Sequence, residues 1–211
     1  MRQMRNMLAQ AERPFVIVGG GGWSEQACAD FRAFVHTYNL PVGCSYRCQD
    51  LIDNRDPHYV GDVAVGLNPK LAERIKSSDV LLVVGARLGE WTTGNYTLID
   101  IPRPKQKLIH VHAGAEELGR VYQGDLLINS GMPEFAAAAK ALEPISERWS
   151  EWTGGARADL EACGRSHRAL RLFAGNRRSG REMGDRARRC QARTRGAAGH
   201  RAGRCGRRAF T

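Results

Sequence analysis

The sequence FVIVGGGGWS at residues 15–24 predicts a buried strand, a glycine turn and the start of a helix. A short apolar run without alternation is typical of a parallel strand that is covered on both faces. Glycine lacks a Cβ atom, so this turn can adopt positive φ angles or let another group approach the backbone. Ser24 is a favourable N-cap, and the free N–H groups at a helix start favour a phosphate. The glycines therefore predict either a tight packing turn or a nucleotide contact.

Strand patterns alternate with helix patterns through the rest of the body. Segments 47–66 and 91–104 are polar and irregular, so they are expected to be loops. Such alternation predicts βαβ units and a parallel sheet. The fold class is therefore α/β, a Rossmann-like parallel sheet with helices on both faces, followed by a disordered basic tail. Five strands are predicted, at 15–18, 41–44, 80–84, 107–112 and 126–128, and helices are predicted after Ser24, after Asn68, at 115–122 and at 133–142.

Charge divides the chain into a body and a tail. Of the 32 basic residues, fifteen are Arg in residues 161–211, against three acids there, whereas the preceding 160 residues are nearly neutral. We expect a linker or helix end at 1–12, the α/β domain at 13–145, a linker helix at 146–162 and an Arg/Gly/Ala-rich tail at 163–211. The tail has too few aliphatic residues to offset chain entropy, so it is expected to be disordered.

The tail allows two interpretations. Its arginines could bind nucleic acid through phosphates. It nevertheless lacks Lys, stacking aromatics and a nucleic-acid-binding motif. Arg, Gly and Ala have GC-rich codons, so an out-of-frame translation of GC-rich DNA also explains the composition. The second interpretation is favoured.

The glycine turn does not satisfy the requirements of a nicotinamide site. Its pattern, Gly19-x-Gly21-x-x-Ser24, departs from the dinucleotide fingerprint at the last position. A ribose-binding acid is expected at the end of the second strand, where the chain has Cys44-Ser45 instead. A nicotinamide dehydrogenase is therefore not expected. Arg87 follows another buried strand and is interpreted either as a phosphate or carboxylate partner or as a surface residue.

Other candidate groups favour structural roles. His110 and His112 lie on one face of a strand without a third ligand, so one packed and one exposed imidazole is expected and no metal site. Cys44 and Cys48 are interpreted as a core thiol and a loop thiol. No spacing suggests a catalytic triad or an acid–base pair, so no catalytic residue is assigned.

Composition also bears on the compartment. No apolar run approaches the roughly 18 residues of a membrane span, and the first ten residues lack the apolar region of a signal peptide. The six Cys form no paired framework, so reduced thiols are expected. These features predict a cytoplasmic protein without a membrane partner.

Several motifs occur in the order and spacing of one known domain. They are RPFVIVGGG at 13–21, LPV at 40–42, HYVGD at 58–62, SDVLLVVGARL at 78–88 and LIHVH at 108–112. With them the sequence resembles the central domain of thiamine-diphosphate-dependent enzymes of the acetolactate synthase-like family, over residues 5–145. The resemblance implies a six-stranded parallel sheet, a place between a pyrimidine-binding and a diphosphate-binding domain, and assembly into homodimers or tetramers.

The resemblance also implies where cofactors bind. Some members bind FAD or ADP in this domain, and by resemblance Gly20, Gly21, Gly22 and Arg87 would lie along that nucleotide. Members usually carry an Asp-x-Asp pattern where this chain has HAG at 112–114. Thiamine diphosphate and Mg²⁺ are held by the two flanking domains, which supply a catalytic Glu and a Gly-Asp-Gly motif. Here Gly-Asp pairs at 61–62, 124–125 and 184–185 are never followed by Gly.

The sequence therefore predicts an isolated central domain, a fragment that is inactive alone. The parent activity would be decarboxylation or carboligation of a 2-oxo acid, and a truncated or frame-shifted gene would explain the tail. One alternative is a non-catalytic module that binds an FAD- or ADP-type nucleotide. The other is nucleic-acid binding through the basic tail, which is the least favoured.

Overall fold

A six-stranded, fully parallel sheet forms the centre of the molecule. The structure is a computed structural model that describes the backbone of residues 1–145 and 148–175, and the side chains of these residues as far as Gly164. The strand order is β3-β2-β1-β4-β5-β6, which is the doubly wound order of dinucleotide-binding folds. The strands are β1 Pro14–Val18, β2 Val42–Ser45, β3 Tyr59–Val63, β4 Val80–Val84, β5 Lys107–His112 and β6 Leu126–Asn129.

Helices cover both faces of this sheet, as the alternating pattern predicts. The α-helices in the described residues are α1 Arg2–Gln10, α2 Glu25–Tyr38, α3 Pro69–Ser77, α4 Glu90–Thr93, α5 Met132–Lys140 and α6 Ser150–Gly175. A single 3₁₀ turn lies at Ala115–Glu117. The expected α/β, Rossmann-like class is confirmed, and so is the six-stranded sheet that the family resemblance implies.

The two central strands explain why there are two hydrophobic cores. All five residues of β1 and all five of β4 are buried, because both strands are covered on both faces. Side chains alternate between the faces, so Val16 and Val18 pack in one core while Phe15 and Ile17 pack in the other. The first core is closed by α1, α2 and α5, and the second by α3 and the segment before β5.

One strand lies in a segment that was expected to be a loop. Residues 47–66 contain β3, which pairs only with β2 and forms one edge of the sheet. Its sequence YVGDV contains a glycine with φ of +123° and an exposed aspartate, and its register with β2 shifts at Val42/Gly43. These features remove the continuous apolar run that identifies the central strands, so the loop expectation is wrong there.

The predicted helix at 115–122 is also shorter than expected. Only the 3₁₀ turn Ala115–Glu117 forms, and Gly119 adopts a positive φ of 77°. A residue in this conformation ends a right-handed helix, which explains the early stop.

Both ends of the described domain pack into its first core. Residues 2–10, expected to be a linker or helix end, form α1, whose Met4 and Leu8 side chains are completely buried. Trp149 is buried in the same core, and its indole N–H donates to the carbonyl of Ala11 at 3.1 Å. Trp152 donates in the same way to Pro14 at 2.9 Å. The two tryptophans thus attach the segment after residue 145 to the domain surface.

Helix α6 extends past the change in composition. It runs without a break through Gly154 and Gly155 to Gly175, beyond residue 163, where the tail is expected to begin. Residues 176–211 of the tail lie outside the described residues, and its disorder and origin stay predictions. Within the part that is described, no helix is both long and apolar enough to cross a membrane.

The burial of α1 gives a first prediction. Leu8→Ala should lower the free energy of unfolding by about 2–5 kcal/mol, because it removes a completely buried side chain and leaves a cavity. Urea denaturation of the purified chain measures this change. Gln3→Ala, on the exposed side of the same helix, is the control and should change stability by less than about 0.5 kcal/mol. Equal stability of both variants would show that α1 does not belong to the folded domain.

Candidate functional site

Two glycine turns touch each other at the carboxyl ends of the central strands. Gly20 follows β1 with φ of +73°, and Gly85 follows β4 with φ of +72°. A Cβ atom on Gly20 would collide with the carbonyl oxygen of Gly85, and one on Gly85 would collide with that of Gly19. Both positions therefore require glycine for two reasons, their backbone angles and their close approach. The contact lies where the strand order reverses, which is the ligand-binding crevice of such sheets.

The turn after β1 is held by its own side chains. The indole N–H of Trp23 donates to the carbonyl of Gly19 at 2.9 Å, and Ser24 Oγ accepts a hydrogen bond from the Ala27 N–H at 3.1 Å. Ser24 is thus the N-cap of α2, as predicted. These two hydrogen bonds fix the conformation of the turn where it joins α2.

A cleft of about 450 Å³ opens beside these turns, within the size range of small-molecule sites. It is formed by residues that follow β1, β2, β4 and β5, so it lies along the carboxyl edge of the sheet. Its lining residues are Gly20, Ser45, Tyr46, Cys48, Arg87, Leu88, Gly89, Glu90, Trp91, Thr92, Tyr96, Glu117, Arg120 and Val121.

Two arginines converge on one carboxylate in the cleft. Arg87 Nε lies 3.1 Å and Arg120 Nη1 lies 3.3 Å from Oε2 of Glu117. The Glu117 side chain is 7% exposed, whereas those of Arg87 and Arg120 are 66% and 58% exposed. Since a guanidinium carries five N–H donors, both arginines retain donors for an anion. Glu90 also lines the cleft, so the two acidic and two basic side chains of the lining balance in charge. Any attraction of the cleft for an anion therefore depends on the free N–H donors of the two arginines.

An aromatic pair forms another part of the wall. The rings of Tyr46 and Trp91 are stacked, with centroids 4.8 Å apart and planes 14° from parallel. Both side chains are exposed, at 38% and 55%. The Arg47 guanidinium lies over the Tyr46 ring at 5.1 Å. Exposed, ordered rings of this kind offer a flat surface for a planar ligand.

The structure brings together two of the four predicted binding residues. Gly20 and Arg87 line the cleft, whereas Gly21 and Gly22 are not among its lining residues and face open space. Their predicted contact with a nucleotide stays a prediction. Tyr46, Trp91 and Glu117 are not identified from the sequence, because they lie after β2, in α4 and in the 3₁₀ turn, and no motif connects these segments.

The histidine and cysteine candidates make structural contacts, although His112 is half-buried where an exposed imidazole was expected. His110 is buried, its Nε2 lies 3.0 Å from the Ala86 carbonyl, and burial lowers its pKa. His112 is half-buried, and its Nδ1 accepts from the Gly114 N–H. Cys44 is a core thiol, with a pKa raised to about 12 mainly by burial, and Cys48 is half-buried at the cleft.

The described residues do not fit thiamine diphosphate and Mg²⁺. Of the three Gly-Asp pairs, the one at 184–185 lies outside the described residues. Asp62 Oδ1 accepts a hydrogen bond from the Tyr59 hydroxyl at 2.8 Å, and Asp125 Oδ2 accepts one from the Leu108 N–H at 2.9 Å. Both carboxylates therefore stabilise strands, and neither lines the cleft.

Strand order and the glycine contact together define a domain of the Rossmann-like class. A family model described as "Thiamine pyrophosphate enzyme, central domain" matches residues 1–139. The chain belongs to this family, and the resemblance stated from the sequence is confirmed.

Curated relatives agree with this assignment. The chain is 25% identical to the acetolactate synthase isozyme 2 large subunit of Escherichia coli K12 over 147 residues, 70% of this chain and 26% of the relative. It is 26% identical over 152 residues to the acetolactate synthase large subunit of Parasynechococcus marenigrum, which is 69% of this chain and 24% of the relative. A 3D-(3,5/4)-trihydroxycyclohexane-1,2-dione hydrolase of Clostridium botulinum is 28% identical over 99 residues, which is 46% of this chain and 15% of the relative. The chain thus spans about a quarter of the length of the acetolactate synthases it matches.

The glycine contact gives a second prediction. Gly85→Ala should destabilise the domain by more than about 2 kcal/mol, because the new Cβ meets the backbone of Gly19 and the residue has a positive φ. Gly21→Ala is the matched control, since a Cβ there meets nothing within 4 Å, and should be nearly neutral. Chemical denaturation compares the two, and a stable Gly85→Ala variant would contradict the close approach of the turns.

Proposed function

We propose that this chain is the central domain of an acetolactate synthase-like enzyme and that it has no thiamine chemistry of its own. The family match over residues 1–139 carries the proposal. The parent reaction is decarboxylation or carboligation of a 2-oxo acid, a class that includes the reaction named for the acetolactate synthase relatives. The domain supplies a rigid sheet, and flanking domains supply the groups that hold thiamine diphosphate and Mg²⁺. As in the parent family, the assembled enzyme is a homodimer or tetramer.

The local bonding of the acidic residues supports this division of roles. A diphosphate–Mg²⁺ site needs carboxylates that are free to coordinate the metal. Asp62 and Asp125 are each engaged by a tyrosine hydroxyl or a backbone N–H of the sheet. Neither of these two Gly-Asp pairs therefore presents an unengaged carboxylate, which agrees with Mg²⁺ ligands supplied by a flanking domain.

The corresponding test uses the purified 211-residue chain. With thiamine diphosphate, Mg²⁺ and pyruvate it should form no acetolactate and release no CO₂, and calorimetry should detect no binding of thiamine diphosphate. The Escherichia coli acetolactate synthase relative, assayed alongside, is the positive control. Saturable binding of thiamine diphosphate by the chain alone would refute the proposal.

A second candidate function is supported by the cleft itself. We propose that an ADP-type nucleotide binds there, with its phosphates near Gly20 and the guanidinium groups of Arg87 and Arg120. The observation that favours it is the pair of exposed arginines on one buried carboxylate, since charge-assisted hydrogen bonds to phosphate are strong. The stacked Tyr46–Trp91 pair lies in the same cleft and provides an aromatic surface for a base.

Titration with ADP and with FAD tests this candidate. Arg87→Gln should weaken ADP binding at least about tenfold, since it removes a charged partner of the phosphates. Arg103→Gln is the control, because Arg103 lies outside the cleft lining and should leave the affinity unchanged. If neither nucleotide binds, or if both variants bind ADP equally well, the cleft is not a nucleotide site.

A further inference from the structure

Two histidines and an aspartate meet on the side of the sheet opposite the cleft. His36 lies in the last turn of α2, and Asp56 and His58 lie just before β3. They are therefore at the amino ends of the strands, away from the carboxyl edge that forms the cleft. One ligand atom from each residue lies within 4.8 Å of the other two. Among the described residues this is the only such group of three or more His, Cys, Asp or Glu side chains.

The aspartate is the centre of the cluster. Asp56 has a completely buried side chain, and Oδ2 lies 2.8 Å from His36 Nε2 while Oδ1 lies 3.1 Å from His58 Nδ1. The side chain of His58 is 11% exposed and that of His36 is 39% exposed. Two imidazoles thus face one buried carboxylate, and the His36 side is open to solvent.

The hydrogen bonds of His58 place two acceptors against each other. Asn39 Nδ2 donates to Ser150 Oγ at 2.7 Å, which leaves Asn39 Oδ1 to accept from His58 Nε2–H at 3.0 Å. A neutral imidazole that is protonated at Nε2 presents an unprotonated Nδ1 to the carboxylate of Asp56. In that state the Nδ1 lone pair faces Asp56 Oδ1 at 3.1 Å, an oxygen that also accepts the His58 backbone N–H at 3.0 Å. Either a second proton on the ring or a cation shared by both atoms relieves this contact.

We propose that His36, Asp56 and His58 form a binding site for a divalent transition-metal ion of the zinc type. Imidazole nitrogen and carboxylate oxygen both bind zinc at about 2.0–2.2 Å, and three protein ligands leave the fourth position to water. Ligand atoms on one tetrahedral zinc lie roughly 3.3 Å apart by the same geometry, so the three donor atoms, which lie within 4.8 Å of one another, can share one ion after a small inward movement. Imidazole ligands favour zinc-like ions over Mg²⁺ and Ca²⁺.

The neighbours of the cluster support this assignment. A histidine that binds a metal through one nitrogen generally donates its other N–H to an oxygen acceptor, and Asn39 Oδ1 has that position for His58. The ion would connect α2 to the segment before β3. It would thereby stabilise the edge strand that has a neighbour on only one side.

Arg32 is the competitor for this site. Its Nε lies 2.8 Å from Asp56 Oδ2, and its side chain is 55% exposed. The guanidinium therefore places a positive charge where the ion would bind, and it can rotate into solvent when the ion arrives. Removing this charge should strengthen metal binding, whereas a purely structural ion-pair cluster would only lose stability.

Calorimetry with ZnCl₂ on the EDTA-treated full chain tests the proposal. Wild type should bind one zinc more per chain than the His36→Gln/His58→Gln variant, a difference that removes any contribution of the six Cys elsewhere. His36→Gln alone alters a partly exposed ring, so it serves as the variant that keeps the fold, and it should weaken this zinc at least about tenfold. His112→Gln, a half-buried imidazole outside the cluster, should bind like wild type.

Arg32→Gln is expected to change the zinc affinity in the opposite direction. It should tighten zinc binding several-fold, because a unit charge next to the ion is removed. Unchanged or weaker binding by this variant, or equal zinc stoichiometry in wild type and the double histidine variant, would overturn the proposal. A wild-type chain that binds no zinc would do the same, and the cluster would then be an ion-pair and hydrogen-bond cluster in which His58 Nδ1–H donates to Asp56.

Discussion

The contact between the turns after β1 and β4 is the constraint on which the rest of the fold depends. These strands are paired over their full length and buried on both faces, so they determine the positions of both hydrophobic cores. Where they end, the chain must turn away in opposite directions to place helices on opposite faces. The backbones of Gly19, Gly20 and Gly85 meet there too closely for any side chain. The crevice above them is a consequence of this geometry.

The carboxyl ends and the amino ends of the strands, called here the carboxyl and amino edges of the sheet, differ in the contacts that their residues make. The carboxyl edge has an open cleft with exposed arginines and aromatic rings, whereas the amino edge is closed by internal hydrogen bonds. Asp79 accepts from the backbone N–H groups of Glu12 and Arg13, and Arg157 donates to the carbonyls of Asn54, Asp56 and Tyr59. These contacts attach α6 and the segment before β3 to the domain. The His36–Asp56–His58 cluster lies within this closed edge, which explains why its carboxylate is fully buried.

Sequence patterns predict the parts of this fold that burial alone determines. The apolar runs of β1 and β4 are predicted correctly because strands covered on both faces tolerate few polar residues. β3 is missed because an edge strand with one partner can contain Gly61 and Asp62. The site is predicted less well than the fold. Arg87 is found beside its strand, but Glu117 becomes its partner only through the parallel alignment of β4 and β5. Tyr46 likewise reaches Trp91 only because β2 and β4 lie on either side of β1. The cluster of His36 with Asp56 is missed for a similar reason, since 20 residues separate them.

The structure also changes which residues bear on ligand binding. Glycines at a strand-to-helix turn usually suggest a phosphate, but Gly20 and Gly85 are explained completely by the contact between their backbones. Their presence is therefore no evidence for a ligand. Arg87 and Arg120 are different, because their side chains extend largely exposed into the cleft. Glu117, whose side chain is almost completely buried, holds both guanidinium groups in place through a single oxygen. Binding of a nucleotide would thus depend on the charged residues after β4 and β5, and would not require a contact with the glycine turn.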